Sequence, residues 1–486
     1  MSTYLGIDVG TSSVKAVLIG DGERLIGSAT AALDVSRPRP GWSEQDPDTW
    51  IAATATAVDR LKADHPAELA AVAGIGLSGQ MHGATLLDAA DKPLRPAILW
   101  NDGRSAAECA ELEARCPELR ALTGNIAMPG FTAPKLVWTE KHEPEIFART
   151  AKVLLPKDYV RLWLTGEHVS DMSDSAGTLW LDVGARAWSD RLLEATRLDR
   201  SHMPRLVEGT EVSGDLRPEL AARWGLAGRA VVAGGGGDNA ASAVGMGAVR
   251  PGVAFASLGT SGVLFVSNAA FSPNTAGAVH AFCHAVPGTW HQMGVVLSAA
   301  ASLEWLSRTL GEAAPSLTGA LGDAPSAPAP VMFLPYLSGE RTPHNDADIR
   351  GAFVGLAPET DRRALTQAVL EGVAFAFRDC LGALNDAGTD VARAFAVGGG
   401  SRSAAWLAIL AAVLDRPLDV TAEGDAGGAF GAARLGRVAA TGEDPFETLT
   451  PPPVARTVEP DPSLVAAYAE RYAGWRRLYP ALKSAM

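Results

Sequence analysis

Basic residues are scarce in this chain. Its 486 residues include 42 Lys and Arg against 55 Asp and Glu, which gives a formal net charge of −13 at pH 7. Because proteins that bind nucleic acids present basic surfaces to the phosphate backbone, this balance excludes a nucleic acid as the main partner. A small basic pocket for a phosphorylated metabolite remains compatible with it.

Long apolar segments are also missing. No stretch reaches the roughly 18 uninterrupted apolar residues of a membrane-spanning helix, and the opening MSTYLGIDVG lacks the basic and apolar segments of a secretory signal. The cysteines form no C-x-x-C pair, and we interpret them as reduced thiols: Cys109, Cys116, Cys283 and Cys380. These features predict a cytoplasmic protein with no membrane partner.

What the chain does have is enough apolar sequence for more than one core. Hydrophobic residues make up 47% of it and charged residues 20%. This composition is typical of a globular protein, and the length exceeds that of one ordinary domain. We therefore expect at least two domains.

An internal repeat supports that expectation. The segment DVGTSSVKAV (8–17) aligns without gaps with SLGTSGVLFV (257–266), and both have the pattern of two strands joined by a tight turn. In the same way RAVVAGGGGDNAASAV (229–244) resembles RAFAVGGGSRSAAWLAIL (393–410), and both read as strand, glycine-rich turn and helix. The repeated order of these units predicts a duplicated protein whose halves face each other across a cleft.

The fold class follows from the mixture of elements. Helical patterns at 48–63 and 363–384 alternate with the strands, which favours an α/β fold. We place the two domains at 1–248 and 249–486. A last helix, at about 463–482, is predicted to pack back on the body of the protein.

The repeated turns are suited to binding phosphate. A Walker motif is excluded, because the chain has no Gly-Lys dipeptide. Gly-Thr-Ser turns and glycine-rich turns at helix starts nevertheless offer backbone N–H groups and hydroxyls to an anion. Asp8 ends the first strand beside such a turn, where a carboxylate is able to hold Mg²⁺, and Lys15 on the returning strand would add positive charge. The alternatives are a turn-forming aspartate and a solvated strand lysine.

Asp238 is the candidate for proton transfer. It follows four glycines, Gly234 to Gly237, at the predicted start of a helix, and we expect its carboxylate to stay ionised there. An ionised carboxylate accepts a proton from a hydroxyl that attacks phosphorus, a step that needs no strong base. We interpret the glycines as letting the backbone approach phosphate closely. A helix cap is the simpler alternative for Asp238.

The motifs together are specific enough to identify a resemblance. From end to end the chain resembles the FGGY family of carbohydrate kinases, and within it the bacterial xylulokinases. The carrying segments are GIDVGTSSVKAVL, WSEQDPDTW, GLSGQMHGATLLD, RPAILWNDGRSA, GNIAMPGFTAPKLVW, LLPKDYVRLWLTGE, SDMSDSAGTLWLDV, AGGGGDNAASAVG, SLGTSGVLF and FLPYLSGERTPHND.

The resemblance implies a fold, a reaction and an assembly. The fold is two ribonuclease-H-like domains of the kind found in actin and hexokinase, with sugar and ATP meeting in the cleft. The reaction is transfer of the γ-phosphoryl group of ATP to O5 of D-xylulose, which gives D-xylulose 5-phosphate and ADP and requires Mg²⁺. Family habit favours a homodimer.

The resemblance also assigns residues to roles. Asp238 would be the general base, and Asp8 and Asp238 would hold Mg²⁺. The sugar would contact Gln80, Met81, His82, Trp100, Asp102, Asp238 and Asn239. ATP would contact Asp8, Gly10, Thr11, Ser12, Lys15, Gly259, Thr260, Gly399, Gly400 and Ser403. His280, Cys283 and His284 are not interpreted as a metal site, because neighbours on a strand point to opposite faces.

Two other functions stay open at this point. One is a sister kinase acting on another ketose or polyol such as ribulose, because the pocket alone decides specificity. The other is a sensor that binds nucleotide and sugar without transferring phosphate. Relatives usually carry three glycines before the Asp-Asn pair, and the fourth glycine here has no explanation in the sequence.

Overall fold

The computed structural model describes residues 2–421 and 427–486. The strands of the first half are β1 (Thr3–Val9), β2 (Ser13–Gly20), β3 (Leu25–Ala32), β4 (Glu44–Gln45), β5 (Val72–Gly79), β6 (Thr85–Leu87), β7 (Ala97–Ile98), β8 (Lys152–Leu154), β9 (Val169–Asp171), β10 (Leu181–Asp182), β11 (Ala187–Trp188), β12 (Arg205–Val207), β13 (Val212–Asp215), β14 (Val231–Ala233) and β15 (Gly236–Gly237). Its helices are α1 (Pro47–Asp64), α2 (Pro66–Ala70), α3 (Ala106–Arg115), α4 (Leu119–Thr123), α5 (Thr132–His142), α6 (Pro144–Arg149), α7 (Pro156–Thr165), α8 (Met172–Ala176), α9 (Asp190–Ala195), α10 (Pro218–Trp224) and α11 (Asp238–Gly245), with a 3-10 turn at Arg200–His202.

The second half repeats the plan with fewer insertions. Its strands are β16 (Ala254–Leu258), β17 (Gly262–Asn268), β18 (His280–Cys283), β19 (Trp290–Val296), β20 (Met332–Leu334), β21 (Ala352–Val354), β22 (Ala394–Val397), β23 (Leu418–Thr421) and β24 (Val454–Val458). Its helices are α12 (Ala300–Leu310), α13 (Ala314–Gly319), α14 (Arg362–Asp386), α15 (Ala404–Leu414), α16 (Gly427–Thr441), α17 (Pro445–Thr448), α18 (Pro462–Trp475) and α19 (Leu478–Ala485), with a 3-10 turn at Gly399–Arg402.

Each half is built on a mixed sheet of the same topology. The first sheet has the order β13-β14-β5-β1-β2-β3, and the second has the order β18-β19-β17-β16-β22-β23-β24. In each, an antiparallel hairpin, β1–β2 or β16–β17, is followed by parallel strands on the other side of its first strand. This order is that of the ribonuclease-H-like unit. The predicted hairpins and the predicted strand–turn–helix units are therefore confirmed in both halves.

Local sequence explains where the helices begin. At α1, Asp46 accepts a hydrogen bond from the backbone of Asp48 at 3.0 Å, and Pro47 occupies the first turn, where it has no hydrogen bond to lose. Residues at helical spacing on one face, from Trp50 to Leu61, are buried in the core beneath the first sheet.

The C-terminal region differs from the prediction of one helix at 463–482. The chain forms α18 and α19 with a break at Arg476–Arg477. Pro480 explains the break, because a proline inside a continuous helix would remove a hydrogen bond and clash with the preceding turn. α18 packs back on the body as expected, since Leu464, Tyr468 and Trp475 are buried in the core of the second half.

A helix of the second half packs on the sheet of the first half. α16 belongs to the second half by sequence but packs on β1 and β5 of the first sheet, and it crosses α11. The approach is backbone to backbone: a Cβ built on Gly6 would lie 1.8 Å from the carbonyl oxygen of Ala429, and one on Gly76 would lie 1.7 Å from that of Ala432. Glycine is required at both positions, because any side chain would push α16 away.

Over the described residues, no helix is both long and apolar enough to cross a bilayer.

Candidate active site

Asp238 lies at the point where the first sheet passes into α11. Its Oδ1 accepts hydrogen bonds from the backbone N and the Nδ2 of Asn239, at 2.7 and 2.9 Å. Burial, together with the nearby charge of Asp8, outweighs these bonds and raises the pKa of Asp238 to about 7. The expectation that Asp238 stays ionised is thus wrong near neutral pH, because desolvation and the charge of Asp8 exceed the effect of the hydrogen bonds from Asn239.

The glycine run before Asp238 contains a β-bulge. Val232 pairs with Ile75 of β5, and Gly236 pairs with Ser78, so four steps along this strand match three along β5. Gly235 takes up the difference with a φ of +75°. The fourth glycine is explained in this way: the additional residue is absorbed before β15, and the pairing that leads into Asp238 is restored.

The amides of this run are already bonded to the protein. Gly234 N donates to Glu211 O at 2.8 Å, and Gly235 N donates to Gly209 O at 2.9 Å. Gly237 N donates to Ser173 Oγ at 3.1 Å. The interpretation of the run as a phosphate cradle does not fit these contacts. The glycines allow close packing against neighbouring backbone, and the run positions Asp238.

A buried cluster of charged side chains lies against the glycine run at 234–237. Its members have no exposed side-chain surface: Lys157, Asp158, Arg161, Asp171 and Asp174. Arg161 donates to the carbonyl oxygens of Ala233 and Gly234. Ser173, whose hydroxyl bonds Asp171, accepts the Gly237 amide. The cluster therefore holds both ends of the glycine run. The sequence alone did not reveal it, because its members lie about 60 to 80 positions before the run.

The first hairpin carries Asp8 on β1, Lys15 on β2 and the turn residues Gly10, Thr11 and Ser12. Gly10 N donates to Ser13 O at 3.0 Å and closes the turn. Asp8 accepts a hydrogen bond from Ser78 Oγ at 2.9 Å, and burial raises its pKa. Lys15 is directly opposite Asp8 in the ladder and is exposed. The structure thus brings a carboxylate and a cation together at the edge of the sheet, within charge range of Asp238.

The 80–82 turn lies beside this hairpin. Gln80 accepts a hydrogen bond from Thr11 Oγ1 at 3.0 Å, and the Met81 side chain fills the space next to Gly237. His82 has a φ of +70°, and its Nδ1 lies 2.6 Å from Gly177 O. A carbonyl oxygen only accepts, so Nδ1 carries the proton and Nε2 is an acceptor. Burial lowers the pKa of His82 to about 3, which keeps the ring neutral.

Trp100 and Asp102 have different environments. Trp100 is 48% exposed, and its Nε1 donates to Thr11 Oγ1 at 3.0 Å, the same hydroxyl that donates to Gln80 of the 80–82 turn. Asp102 is buried, accepts from Ser43 N at 2.6 Å and pairs with Arg104 at 2.6 Å. These contacts favour a structural role for Asp102, and its place among the sugar contacts stays a prediction.

Several residues near His82 were missed by sequence analysis. The Phe131 ring packs edge-on against His82 with centroids 4.7 Å apart, and it packs against His280 at 5.7 Å. Lys135 Nζ donates to His82 O at 2.8 Å. Arg341 of the second half contacts His280 and also Met128 of the first half. The signal was present in GNIAMPGFTAPKLVW and FLPYLSGERTPHND, but nothing in those segments shows that they meet.

The predicted ATP contacts of the second half include Gly399, Gly400 and Ser403. A cavity of about 550 Å³ is lined by Gly399, Gly400 and Ser403, and α12 and α13 form its opposite wall. Ser403 Oγ caps α15 by accepting from Trp406 N at 3.3 Å. The size and apolar walls of this cavity suit a nucleoside.

The second hairpin turn does not line this cavity. The carbonyl oxygens of Gly259 and Thr260 accept from the first residues of α12, at 2.8 Å from Ala300 N to Gly259 O and 3.1 Å from Ala301 N to Thr260 O. The turn is thereby fixed beside the nucleoside-sized cavity.

Comparison with known proteins agrees with the geometry. Residues 3–245 match the FGGY family of carbohydrate kinases, N-terminal domain, and residues 254–440 match the C-terminal domain of the same family. The chain is 50% identical over 99% of both sequences to a xylulose kinase of Escherichia coli K12. A solved xyloylose kinase from Brucella ovis is 62% identical over 100% of both chains with a TM-score of 0.98. A xylulose kinase from Rhodospirillum rubrum is 31% identical over 99% of both with a TM-score of 0.92. The predicted resemblance and the predicted two-domain α/β fold are confirmed.

Proposed function

The chain belongs to the FGGY family of carbohydrate kinases, and we propose that it transfers the γ-phosphoryl group of ATP to O5 of D-xylulose, giving D-xylulose 5-phosphate and ADP. One observation carries the proposal: Asp238, a carboxyl whose pKa is raised, directly follows Gly237, which packs against Met81 of the 80–82 turn, and it lies within charge range of Asp8 beside the first hairpin turn. This arrangement supports a proton acceptor between a sugar site at the 80–82 turn and a phosphate site at the hairpin.

Asp238 is the general base. A pKa of about 7 leaves roughly half of this group ionised at neutral pH, where it accepts the proton of the attacking hydroxyl. The proton moves from O5 to Asp238 as the new O–P bond forms and the bond to ADP breaks. Asn239 holds the carboxylate on Oδ1, which leaves Oδ2 for the substrate.

The 80–82 turn binds the sugar. His82 is neutral and offers Nε2 as an acceptor for a sugar hydroxyl, while Gln80 is held by Thr11 and Gln45. The exposed face of Trp100 covers the sugar from the solvent side. We keep Asn239 and Asp238 as sugar contacts, since they are adjacent at the start of α11.

ATP spans the two halves. Its adenosine enters the cavity at Gly399, Gly400 and Ser403, and its phosphates extend past Gly259 and Thr260 toward the first hairpin turn. Gly10, Thr11 and Ser12 form that turn, and Lys15 supplies positive charge. Excluding water when the halves close on both substrates limits hydrolysis of ATP.

The residues present fit Mg²⁺. Asp8 and Asp238 are close enough for one charge to raise the pKa of the other, and a shared cation relieves that repulsion. Within residues 2–421 and 427–486, no group of three or more His, Cys, Asp or Glu side chains forms a metal site made of protein alone. That pattern suits Mg²⁺, which takes one or two carboxylates and completes its shell with phosphate and water. When bound, the ion neutralises charge on the transferring phosphoryl group.

The deciding experiment is an ADP-release assay with Mg²⁺-ATP over a panel of ketoses and polyols. We expect D-xylulose to give the highest kcat/KM, and phosphorus NMR of the product to place the phosphate on O5. A higher kcat/KM with ribulose or a polyol would identify a sister kinase. Sugar binding without ADP release would identify a sensor.

A matched pair of variants tests the base. Asp238→Asn keeps the acceptor for Asn239 but not the base, so turnover should fall by about 10³-fold or more while ATP binding changes little. Asp386→Asn, at the exposed end of α14, should turn over normally. Near-normal turnover in Asp238→Asn would remove Asp238 from this role.

The state of the cysteines bears on the compartment in which the protein works. The cysteines are free and buried, as expected for a reducing compartment that also supplies ATP, so we propose the cytoplasm. The small-molecule partners are the sugar and ATP. A homodimer stays a prediction.

A further inference from the structure

Arg341 of the second half reaches the sugar side of the first. It lies in the segment SGERTPHND between β20 and β21. Its Nη1 lies 3.5 Å from His280 Nε2 and contacts the sulfur of Met128. Met128 comes from the insertion that follows β7 in the first half. Arg341 therefore crosses between the two halves at the sugar side of the cleft.

The hydrogen bonds around His280 fix what it offers to Arg341. Asn125 donates from Nδ2 to the carbonyl oxygens of Thr123 and Ala281, at 2.8 and 3.0 Å, so its Oδ1 is left as an acceptor. His280 Nδ1, 2.9 Å from that oxygen, must be the donor. The other ring nitrogen, Nε2, is then an acceptor for Arg341, and burial holds the pKa of His280 well below its usual value, so the ring is neutral.

The backbone of Arg341 is held on both sides. Arg341 N donates to Glu340 Oε1 at 2.8 Å, and the same oxygen accepts Leu297 N at 2.9 Å. Thr342 N donates to Val295 O at 3.1 Å, and Thr342 Oγ1 accepts from Val295 N at 3.0 Å. The guanidinium is thus presented from a fixed point at the end of β19, which lowers the entropy cost of using it to bind a ligand.

The donors of Arg341 are only partly used inside the protein. Across the part of the chain that the structure describes, Arg341 forms no ion pair, although its side chain is largely buried. Its charge reaches His82 and contributes to lowering the pKa of that ring. His82 and His280 flank the same pair of aromatic rings, Phe131 and Phe282, with centroid separations between 4.7 and 6.4 Å.

We propose that Arg341 is a substrate-binding residue that donates hydrogen bonds to the oxygens at the end of the ketose remote from O5, the C2 carbonyl and the C1 hydroxyl. This inference rests on the proposed function. A guanidinium donates and does not accept, so it matches a carbonyl oxygen better than a hydroxyl, which also has to place its own hydrogen. Arg341 thereby favours a ketose over the pentitols made by reducing its C2 carbonyl.

The test uses Arg341→Gln and Arg341→Lys, with Arg350→Gln as the matched control. Arg350 also lies between β20 and β21, is exposed, and within the described residues bonds the carbonyl oxygens of Ala347 and Ile349. Steady-state constants are measured for D-xylulose, for xylitol and D-arabinitol, and for ATP. In Arg341→Gln the KM for xylulose should rise about tenfold or more, with the KM for ATP within about twofold, and the preference for ketose over pentitol should fall about tenfold. The control should match the wild type.

Three results would decide against the inference. A xylulose KM in Arg341→Gln that stays at the wild-type value overturns it, as does an equal loss for ketose and pentitols. Arg341→Lys keeps the charge and, like arginine, only donates, so it should retain more of the ketose preference than Arg341→Gln does; if the glutamine variant melts at a lower temperature, a preference in Arg341→Lys no higher than in Arg341→Gln also overturns the inference. Failure of the wild type to phosphorylate xylulose would instead refute the proposed function.

Discussion

Replacing Asp238 by asparagine should make the folded chain more stable as it abolishes turnover, and the gain should grow with pH. The ordinary pKa of an aspartate carboxyl is 3.8, and folding raises the pKa of Asp238 to about 7. A pKa raised by folding means that the group stabilises the fold most below the unfolded pKa and loses that contribution as pH rises through the folded pKa. Between those two values the wild type therefore loses stability that an uncharged asparagine retains.

The size of the effect follows from the same values. The raised pKa of Asp238 lowers the free energy of unfolding of the wild type by about 2 kcal/mol at pH 5 and by up to about 4 kcal/mol at pH 8. The upper figure is reduced because Asp238 keeps some contact with solvent. Both hydrogen bonds from Asn239 end on Oδ1, so an amide oxygen at position 238 accepts them and no packing is lost.

The assay is thermal unfolding of wild type and Asp238→Asn at about pH 5 and about pH 8 without ligands. We expect the variant to melt a few degrees above wild type at the higher pH, and the difference to shrink at the lower pH. Asp386→Asn serves again as the control and should show no pH-dependent gain. A difference that is equal at both pH values, or a less stable Asp238→Asn at high pH, would refute the reasoning.

Three further predictions use the same site and its supports. Wild-type kcat should rise with pH to a plateau with a midpoint no higher than about 7, since Asp238 acts in its ionised form and Mg²⁺ would favour that form; a flat profile through acidic and neutral pH contradicts this. Ser173→Ala removes the acceptor of the amide next to Asp238 and should lower kcat about five- to tenfold with the KM for ATP unchanged, whereas Ser484→Ala, at an exposed serine of α19 whose hydroxyl donates to Ala481 O at 2.8 Å, should leave kcat alone. Gly76→Ala should abolish soluble expression because its Cβ would meet backbone at 1.7 Å, while Gly319→Ala, with nothing within 4 Å, should be neutral.

The sequence was informative wherever local chemistry decides the structure. A tight Gly-Thr-Ser turn between two apolar runs favours a hairpin from local sequence alone, so the repeats at Asp8 and Ser257 predicted both hairpins. The same is true of Asp238, whose position at the start of a helix follows from the glycine run before it.

Long-range contacts decide the rest and leave no local signature. The amides of the glycine run donate to Gly209, Glu211 and Ser173, and only the folded structure brings these chain segments together. The raised pKa of Asp238 depends on burial and on Asp8, which is 230 positions away in the sequence. For the same reason Arg341 and Met128 meet without any pattern that predicts it.

The packing of α16 on the first sheet means that the two halves should not fold as separate fragments. A fragment that ends near Val249 would leave the glycine faces of β1 and β5 in water, and a fragment that starts there would carry an α16 with no sheet to cover. Neither piece should fold when expressed alone, and the two should recover activity only when produced together. The linear boundary between the halves is therefore a poor place to cut, and the functional unit is an interlocked pair.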